Sequence, residues 1–458
     1  MEEIRIISPT AILGYGFPRD SFQRGLEKDP HIIAVDAGSV DPGPYYLGAG
    51  VSFTDKASVK RDLKMMLLAG RERKIPVIVG SAGGAGADRH LKWCEDIVRE
   101  IQQEEKLSFT LATIHSEIDK ETLFEAFHQD KISPLAPAPA LTEDQIAQST
   151  SIVGQMGMEP FMDALQKGAD VIIAGRAYDP TVFSAYCVIK GFPVGLAMHL
   201  GKILECASIA CEPGSGSDSM FGTLRKDHFV VEPLNPERKC TVTSVAAHTL
   251  YEKEDPYKLQ GPGGYIDLTQ ANFTQLDESK VKISGSRFVE DKPYKIKLEG
   301  ARLVGYRTIS IAGVRDPIMI SELDNIIEKV KQVVSENFAD LPINDYQLFF
   351  KLYGRDGVMG DLEPVKDIHS HEIGIIIEAV AKTQDLASTI CSFARSNMLH
   401  FGYSGRVATA GNLAFPYSPS DFKAGEVYEF SLHHLIEVAD PAKLFPVHIE
   451  QIGGDING

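Results

Sequence analysis

Short apolar runs alternate with amphipathic segments along the first half of the chain. The apolar runs read as buried strands and cover residues 4–7, 32–35, 75–79, 109–114 and 171–174. Helical periodicity follows most of these runs, for example over residues 56–70, 88–105 and 159–167. Strands that alternate with helices pair in parallel through right-handed crossovers. We therefore predict a doubly wound, mostly parallel α/β sheet over residues 1–210.

The second half of the chain has a different pattern. Residues 211–300 are rich in Gly, Ser, Pro and β-branched side chains, which predicts an irregular or β-rich insert or lid. From 301 to 458 the pattern is strand, helix, strand, strand, helix, strand, the βαββαβ order of a ferredoxin-like α/β sandwich domain. We expect the tail beyond about residue 445 to be loose or to dock on a partner.

A glycine-rich turn follows the strand at residues 75–79. Strand, glycine-rich turn and helix form the local geometry that aims backbone N–H groups and a helix N-terminus at an anion. The sequence is neither a P-loop nor a clean GxGxxG motif, and a tight turn without a ligand is the alternative. On the first interpretation the turn binds the anionic group of a substrate through Ser81, Gly83, Gly84, Ala85 and Gly86.

Two more turns follow strands of the predicted sheet, and parallel strands place such turns at one edge. After residues 32–35, Asp36 and Asp41 can act as acid and base or bind a divalent metal, or simply cap turns. After residues 171–174, Arg176 can grip a carboxylate or phosphate, or pair with Asp179. We predict Asp36, Asp41 and Asp179 as catalytic residues, and Arg176 and Tyr178 as substrate-binding residues.

Other polar positions are weaker candidates. Glu205 and Ser215 are predicted to contact the substrate from a helix end and from a Gly/Ser-rich loop. A cysteine with a nearby base can be a nucleophile, although a buried cysteine more often acts as a small apolar residue. The remaining candidates are Cys206 and Cys211 as nucleophiles, His369 and His371 as metal ligands, and His248, Tyr251 and Glu252 as acids or bases.

Composition narrows the range of partners. The chain has 458 residues and a formal net charge of −17, which argues against nucleic acid and against an anionic membrane surface. It has no signal peptide and no apolar run long enough to span a membrane. Its six cysteines are scattered without a CxxC pair, which is typical of reduced thiols in the cytoplasm. We expect a cytoplasmic homo-oligomer.

Several segments carry a family resemblance. They are GGAGAD at 83–88, AGRAYDP at 174–180, KILEC at 202–206, VTSVAAHTLYE at 242–252 and NLAFPYSPSD at 412–421. With these motifs in this order, the chain resembles the acyclic terpene utilisation AtuA family, formerly a domain of unknown function. The resemblance implies a metabolic protein linked to the catabolism of acyl-CoA esters and organic acids. It also implies a small partner subunit, which accompanies some members.

Together these features predict a lyase, hydratase or isomerase that acts on a small carboxylate or an acyl-CoA. One of the three aspartates would remove a proton next to the carbonyl, and the turn amides with Arg176 would hold the anionic group. A divalent metal could assist as a cofactor. The first alternative is a non-catalytic scaffold subunit completed by a small partner. The second is an NAD-type oxidoreductase, which the missing ribose-binding acid disfavours.

Overall fold

The computed structural model describes residues 1–251, 254–342 and 345–454, so the predicted candidate Glu252 lies outside the described residues. The chain forms two compact units, Met1–Arg302 with Phe430–Gly458, and Leu303–Glu429. This division differs from the predicted one, because residues 211–300 belong to the first unit and the chain returns to that unit after residue 429.

The described strands are β1 (Ile4–Ser8), β2 (Ile32–Asp36), β3 (Val77–Gly80), β4 (Phe109–Ile114), β5 (Ile132–Pro134), β6 (Ser151–Gly154), β7 (Val171–Ala174), β8 (Met220–Leu224), β9 (His228–Pro233), β10 (Lys258–Gly261), β11 (Gly264–Asp267), β12 (Asn272–Gln275), β13 (Val281–Ser284), β14 (Arg287–Glu290), β15 (Lys295–Val314), β16 (Tyr346–Tyr353), β17 (Ile373–Ala381), β18 (Asp421–Glu437) and β19 (Val447–Ile452).

The described helices are α1 (Arg19–Leu26), α2 (Pro44–Ala49), α3 (Lys56–Arg73), α4 (Asp88–Glu105), α5 (Lys120–His128), α6 (Glu143–Gln148), α7 (Glu159–Gln166), α8 (Asp179–Ile189), α9 (Val194–Leu204), α10 (Val242–Leu250), α11 (Pro317–Ser321), α12 (Leu323–Asn337), α13 (Gln384–His400) and α14 (Pro441–Leu444). Across the described ranges, none of these helices combines the length and the apolar character that crossing a bilayer requires.

A large sheet forms the centre of the first unit, with the strand order β12-β13-β9-β8-β1-β2-β3-β7-β4-β19. Strands β1, β2, β3, β7 and β4 run parallel to their neighbours in that series. Strands β2, β3 and β7 are buried throughout, because their side chains alternate between two apolar cores. One core includes apolar residues of α8 and α9, and the other includes residues of α3 and α4.

Both edges of this sheet are antiparallel, and both differ from the sequence prediction. Strands β8, β9, β13 and β12 come from the predicted insert and extend the sheet beyond β1. The predicted loose tail instead forms β19, which pairs with β4 from Val447 opposite Ile114 to Ile452 opposite Phe109. Edge strands offer unpaired N–H and C=O groups, so an added strand satisfies them. The buried side chains of Phe445 and Ile452 fix the tail to the apolar cores.

The second unit has the predicted βαββαβ order of elements. Its strands lie in the order β16-β17-β15-β18, with antiparallel pairing of β16 to β17 and of β17 to β15. Helices α12 and α13 cover one face of this sheet with buried apolar side chains, such as Val330 and Ile390 against Ile375 and Ile377. Strands β15 and β18 each begin in one unit and end in the other.

Candidate active site

The three turns predicted to form a site lie side by side at the carboxyl edge of the large sheet. Strands β2, β3 and β7 are direct parallel neighbours, so their ends meet there. Backbone hydrogen bonds join the turns that follow them: the N–H of Ala37 donates to the carbonyl of Gly80 at 2.9 Å, and the N–H of Ser81 donates to that of Gly175 at 3.0 Å. This edge is where open α/β sheets bind their ligands.

A cleft of about 210 Å³ opens at this edge. It contains four carboxylates, and they include all three predicted catalytic aspartates. The remaining walls are aromatic, apolar and small residues, so the cleft concentrates negative charge in a confined space. Its lining is Ala11, Ile12, Tyr15, Asp36, Gly38, Ser39, Asp41, Pro42, Phe53, Asp179, Glu205, Cys206 and Tyr251.

Asp36 is the most buried of the three aspartates, with 5% of its surface exposed. Its Oδ2 accepts a hydrogen bond from the N–H of Gly38 at 2.9 Å. Its Oδ1 is buried and has no hydrogen-bond partner within the described part of the chain. Burial and the nearby charge of Asp179 raise the pKa of Asp36 well above its ordinary value, against the opposing effect of Arg176. Asp36 is therefore the strongest acid–base candidate in the cleft.

Asp41 and Glu205 lie in different surroundings within the cleft. Asp41 is exposed, and its Oδ2 accepts from the hydroxyl of Ser39 at 2.6 Å. Glu205 is buried and forms an ion pair with the equally buried Lys202, whose ammonium lies 5.4 Å from the ring centre of Tyr251. Burial lowers the pKa of Lys202, but the charge of Glu205 outweighs it and raises the pKa above its ordinary value. Lys202 therefore stays charged beside the cleft.

Arg176 is not placed to grip a substrate directly. Its side chain is 3% exposed, and Nε donates to Oε2 of Glu299 at 2.8 Å while Nη1 donates to Oδ1 of Asp179 at 3.1 Å. The hydroxyl of Ser81 accepts from the same Nη1 at 3.3 Å, so it also faces inward. The alternative interpretation, a partner for Asp179, is the one observed, because burial of a guanidinium requires compensating charge.

Glu299 completes this buried ion network and was missed by the sequence analysis. Its second oxygen lies 2.6 Å from Nζ of Lys297. Burial alone would raise the pKa of Glu299, but the charges of Arg176 and Lys297 outweigh it and lower the pKa to about 2. No local pattern could identify this residue, since it stands in strand β15 and lies 123 positions from Arg176 in the sequence. Lys202, by contrast, belongs to the KILEC segment at residues 202–206, which is one of the segments that carry the family resemblance.

The glycine-rich turn is buried, and its hydrogen bonds argue against the predicted anion-binding role of Ser81, Gly84 and Gly86, whereas the role of Gly83 and Ala85 stays a prediction. All residues from 81 to 87 are buried. The N–H groups of Ser81, Ala82, Gly84 and Gly86 donate to backbone carbonyls, and that of Asp88 donates to the carboxylate of Glu117. Since backbone hydrogen bonding inside the protein already occupies these donors, they do not face the cleft.

The glycines of the turn serve close packing instead. A Cβ on Gly83 would come within 2.9 Å of His90, and one on Gly84 would come within 3.1 Å of Phe53. A Cβ on Gly86 would lie 2.1 Å from the backbone nitrogen of Arg176, a distance that no Cβ can adopt. Ala85 packs in a small apolar cluster with Leu47. The turn is therefore the tight βα connection that positions Arg176 and Asp179.

We predict that Gly86→Ala lowers the free energy of unfolding by about 1–3 kcal/mol more than Gly168→Ala. Both glycines have a positive φ, 71° and 82°, but a Cβ on Gly168 meets nothing within 4 Å. The control variant therefore measures backbone strain alone, about 1–2 kcal/mol. Denaturant unfolding of the two variants checks this, and equal losses would show that the turn has room to relax.

Two further predicted substrate-binding residues, Tyr178 and Ser215, lie outside the cleft lining, as Arg176 and the residues of the glycine-rich turn do. Tyr178 is buried in an apolar cluster with Met198 and Leu259, where its ring packs closely on Gly261. Ser215 stands on the loop after a short 3-10 helix, where its N–H donates to the carbonyl of Ser208 at 3.0 Å. Their neighbours Asp179 and Gly216 explain the misplacement, because the first lines the cleft and the carbonyl of the second accepts a hydrogen bond from the N–H of the cleft residue Ala11 at 3.0 Å.

The other candidates are spread over the chain. Cys206 lines the cleft, whereas Cys211 is buried with its sulfur 3.7 Å from that of Cys240. Burial and the charge of Lys202 lower the pKa of His248 to about 4. His369 and His371 are exposed on the loop between β16 and β17. Within residues 1–251, 254–342 and 345–454, no group of three or more His, Cys, Asp or Glu side chains is arranged to hold a metal ion.

The fold and the cleft define an α/β protein that presents acidic side chains at the carboxyl edge of a parallel sheet, the usual place for small-molecule sites. Residues 55–219 and 227–418 match the model of the family described as acyclic terpene utilisation family protein AtuA. The chain therefore belongs to this family, which confirms the resemblance and implies a metabolic role in acyclic terpene utilisation. A search of curated proteins found no match, and neither did a search of solved structures.

Proposed function

We propose that the chain is a metabolic enzyme that removes a proton next to a carbonyl, in a lyase, hydratase or isomerase reaction. The observation that supports this proposal is Asp36, a buried carboxyl at a strand end, facing a cleft, with a raised pKa. A base is most effective when its pKa lies near the working pH, and burial beside Asp179 moves the pKa of Asp36 in that direction.

The charge of the cleft favours an acyl-CoA over a small carboxylate as the substrate. A small carboxylate would bring its own negative charge among Asp36, Asp41, Asp179 and Glu205. The thioester of an acyl-CoA is neutral, and its phosphates lie at the far end of a long arm. The charged Lys202 behind Glu205 can offset the negative charge that develops on the carbonyl oxygen after proton removal.

The two rival functions gain no specific support. An NAD-type oxidoreductase would bind a pyrophosphate with turn amides, but the N–H groups of Ser81, Gly84 and Gly86 already donate to backbone carbonyls. A scaffold subunit completed by a small partner stays a prediction, as does the homo-oligomer. Activity of the purified chain without any partner would exclude the scaffold role.

We predict that acyl-CoA esters stabilise the purified protein in a thermal-shift screen, and that they still do so in the presence of a saturating amount of the matching free acid. A ligand at a hundred times its dissociation constant adds about 2.7 kcal/mol to the free energy of unfolding. Coenzyme A without an acyl group is the control, because it shows whether the coenzyme A part of the ester binds by itself.

The esters that stabilise the protein are then incubated with it in D₂O. Incorporation of deuterium next to the thioester carbonyl, followed by NMR, reports proton removal whichever net reaction follows. Stabilisation by free acids alone would contradict the substrate class, and stabilising esters without deuterium exchange would contradict the chemistry.

A further inference from the structure

A second pocket in the first unit is lined in part by Tyr178, the residue before Asp179. Its volume is about 280 Å³, and its surface is mostly apolar. We propose that this pocket binds an amphipathic monocarboxylate, a short fatty-acid-like molecule, with its carboxylate at Lys295. The proposal goes beyond the function of the acidic cleft and does not require catalysis there.

The apolar part of the pocket comes from separate segments of the first unit. Leu135 and Leu435 line it together with Pro262, and Tyr178 forms a further wall. Tyr178 is buried in the protein, so this wall is fixed rather than assembled by the ligand. Small-molecule sites usually have about 300–1,000 Å³, so this pocket suits a single short chain and is too small for a nucleotide.

The polar part of the pocket carries two ammonium groups, Lys295 and Lys297. Lys297 is held by the buried carboxylate of Glu299 at 2.6 Å. Lys295 has a weaker partner, Glu437 at 3.6 Å, and both side chains of that pair are more than a third exposed. An exposed pair contributes little energy, so Lys295 can exchange Glu437 for a ligand carboxylate at small cost.

Other polar groups of the lining set the specificity. Gln155 and Gln260 offer neutral amides, which can donate to a carboxylate without a charge penalty. Asp291 also lines the pocket, but it is exposed, and water screens its charge. One ammonium with a weak partner suits one negative charge better than a dianion. The pocket therefore fits a monoanion with an apolar chain, and it disfavours a cation of the same shape.

Isothermal titration with octanoate and octylamine tests the proposal. Octanoate is expected to bind one to one with saturation, and octylamine, which the acidic cleft can attract, is expected not to displace octanoate. The variant Lys295→Ala should raise the dissociation constant of octanoate about tenfold, the loss expected for a charged hydrogen bond. Lys167→Ala removes an exposed lysine at the end of helix α7 and should leave the dissociation constant unchanged.

Two further variants separate the outcomes. Asp36→Asn should bind octanoate as tightly as the natural protein, because Asp36 does not line this pocket. Octanoate binding therefore tests this site even if the proposed catalysis in the acidic cleft is wrong. Lys295→Gln removes the charge but keeps a side chain that is longer than that of alanine. Circular dichroism is used to check that each variant is folded. No saturable binding of octanoate, displacement of octanoate by octylamine, or wild-type affinity in both Lys295 variants would overturn the proposal.

Discussion

Asp36→Asn is expected to slow deuterium incorporation into the acyl-CoA substrate by about 10²–10⁴-fold, the usual contribution of a positioned base. Asparagine keeps an oxygen that can accept the hydrogen bond from Gly38, so the turn after β2 retains its geometry. The asparagine amide cannot take a proton from a carbon atom, and this is the role that we propose for Asp36. Rates of exchange in D₂O, measured with saturating ester, give the comparison directly.

Asp163→Asn is the matched control for this loss. Asp163 stands on helix α7 in an exposed pair with Lys167, so its replacement removes the same charge far from the chemistry. We expect its exchange rate to equal that of the natural protein. An Asp36→Asn variant that retains more than a tenth of the natural rate would show that another group is the base, and Asp179 would then be the next candidate.

The same Asp36 variant has a predictable effect on stability. The folded protein raises the pKa of Asp36 above the unfolded value, so the folded state binds this proton more tightly. The carboxyl therefore costs stability increasingly as the pH rises above the unfolded pKa, and fully above the folded pKa. Asparagine removes this cost. Asp36→Asn should be more stable than the natural protein at alkaline pH, and the difference should shrink towards about pH 4, as denaturant midpoints would show.

The sequence predicted the parts of the fold that local patterns determine. The buried strands β2, β3 and β7 were visible as apolar runs, and the alternation with helices required them to pair in parallel. The antiparallel strands at the edges of the sheet were not predictable, because they pair with residues that are distant in the sequence. In the pairing of β1 with β8, Ile4 lies opposite Leu224 and Ser8 lies opposite Met220. Short amphipathic strands such as β19 look like loose tails until a free sheet edge is known.

The same distinction explains the candidate site. Asp36 and Asp179 were found because each follows a predicted strand, and the sheet topology alone brings strand ends together. The direction of the Arg176 side chain depends on Glu299, which only the tertiary structure brings near. Glycines in the turn had two interpretations, ligand approach and close packing. The sequence is the same for both, and the 2.1 Å that would separate a Cβ on Gly86 from the backbone nitrogen of Arg176 decides for packing.

Glu299→Ala is expected to lower the free energy of unfolding by about 3–5 kcal/mol, the cost of breaking a buried ion pair by removing one partner. The variant leaves the guanidinium of Arg176 buried with Asp179 as its remaining carboxylate, and it also frees Lys297. The folded state lowers the pKa of Glu299 to about 2 from 4.5. Its stabilising effect is therefore complete above the unfolded pKa and disappears as the pH falls towards 2.

Chemical unfolding of three variants separates the charge effect from simple truncation. Glu328→Ala removes a carboxylate from an exposed pair with Lys331, so we expect a loss below about 1 kcal/mol. The double variant Arg176→Met/Glu299→Leu removes both buried charges and fills their volume, which is often neutral for stability. It should therefore recover most of the loss seen in Glu299→Ala. If the double variant is as unstable as the single one, packing around β15, rather than an uncompensated charge, determines the stability of this network.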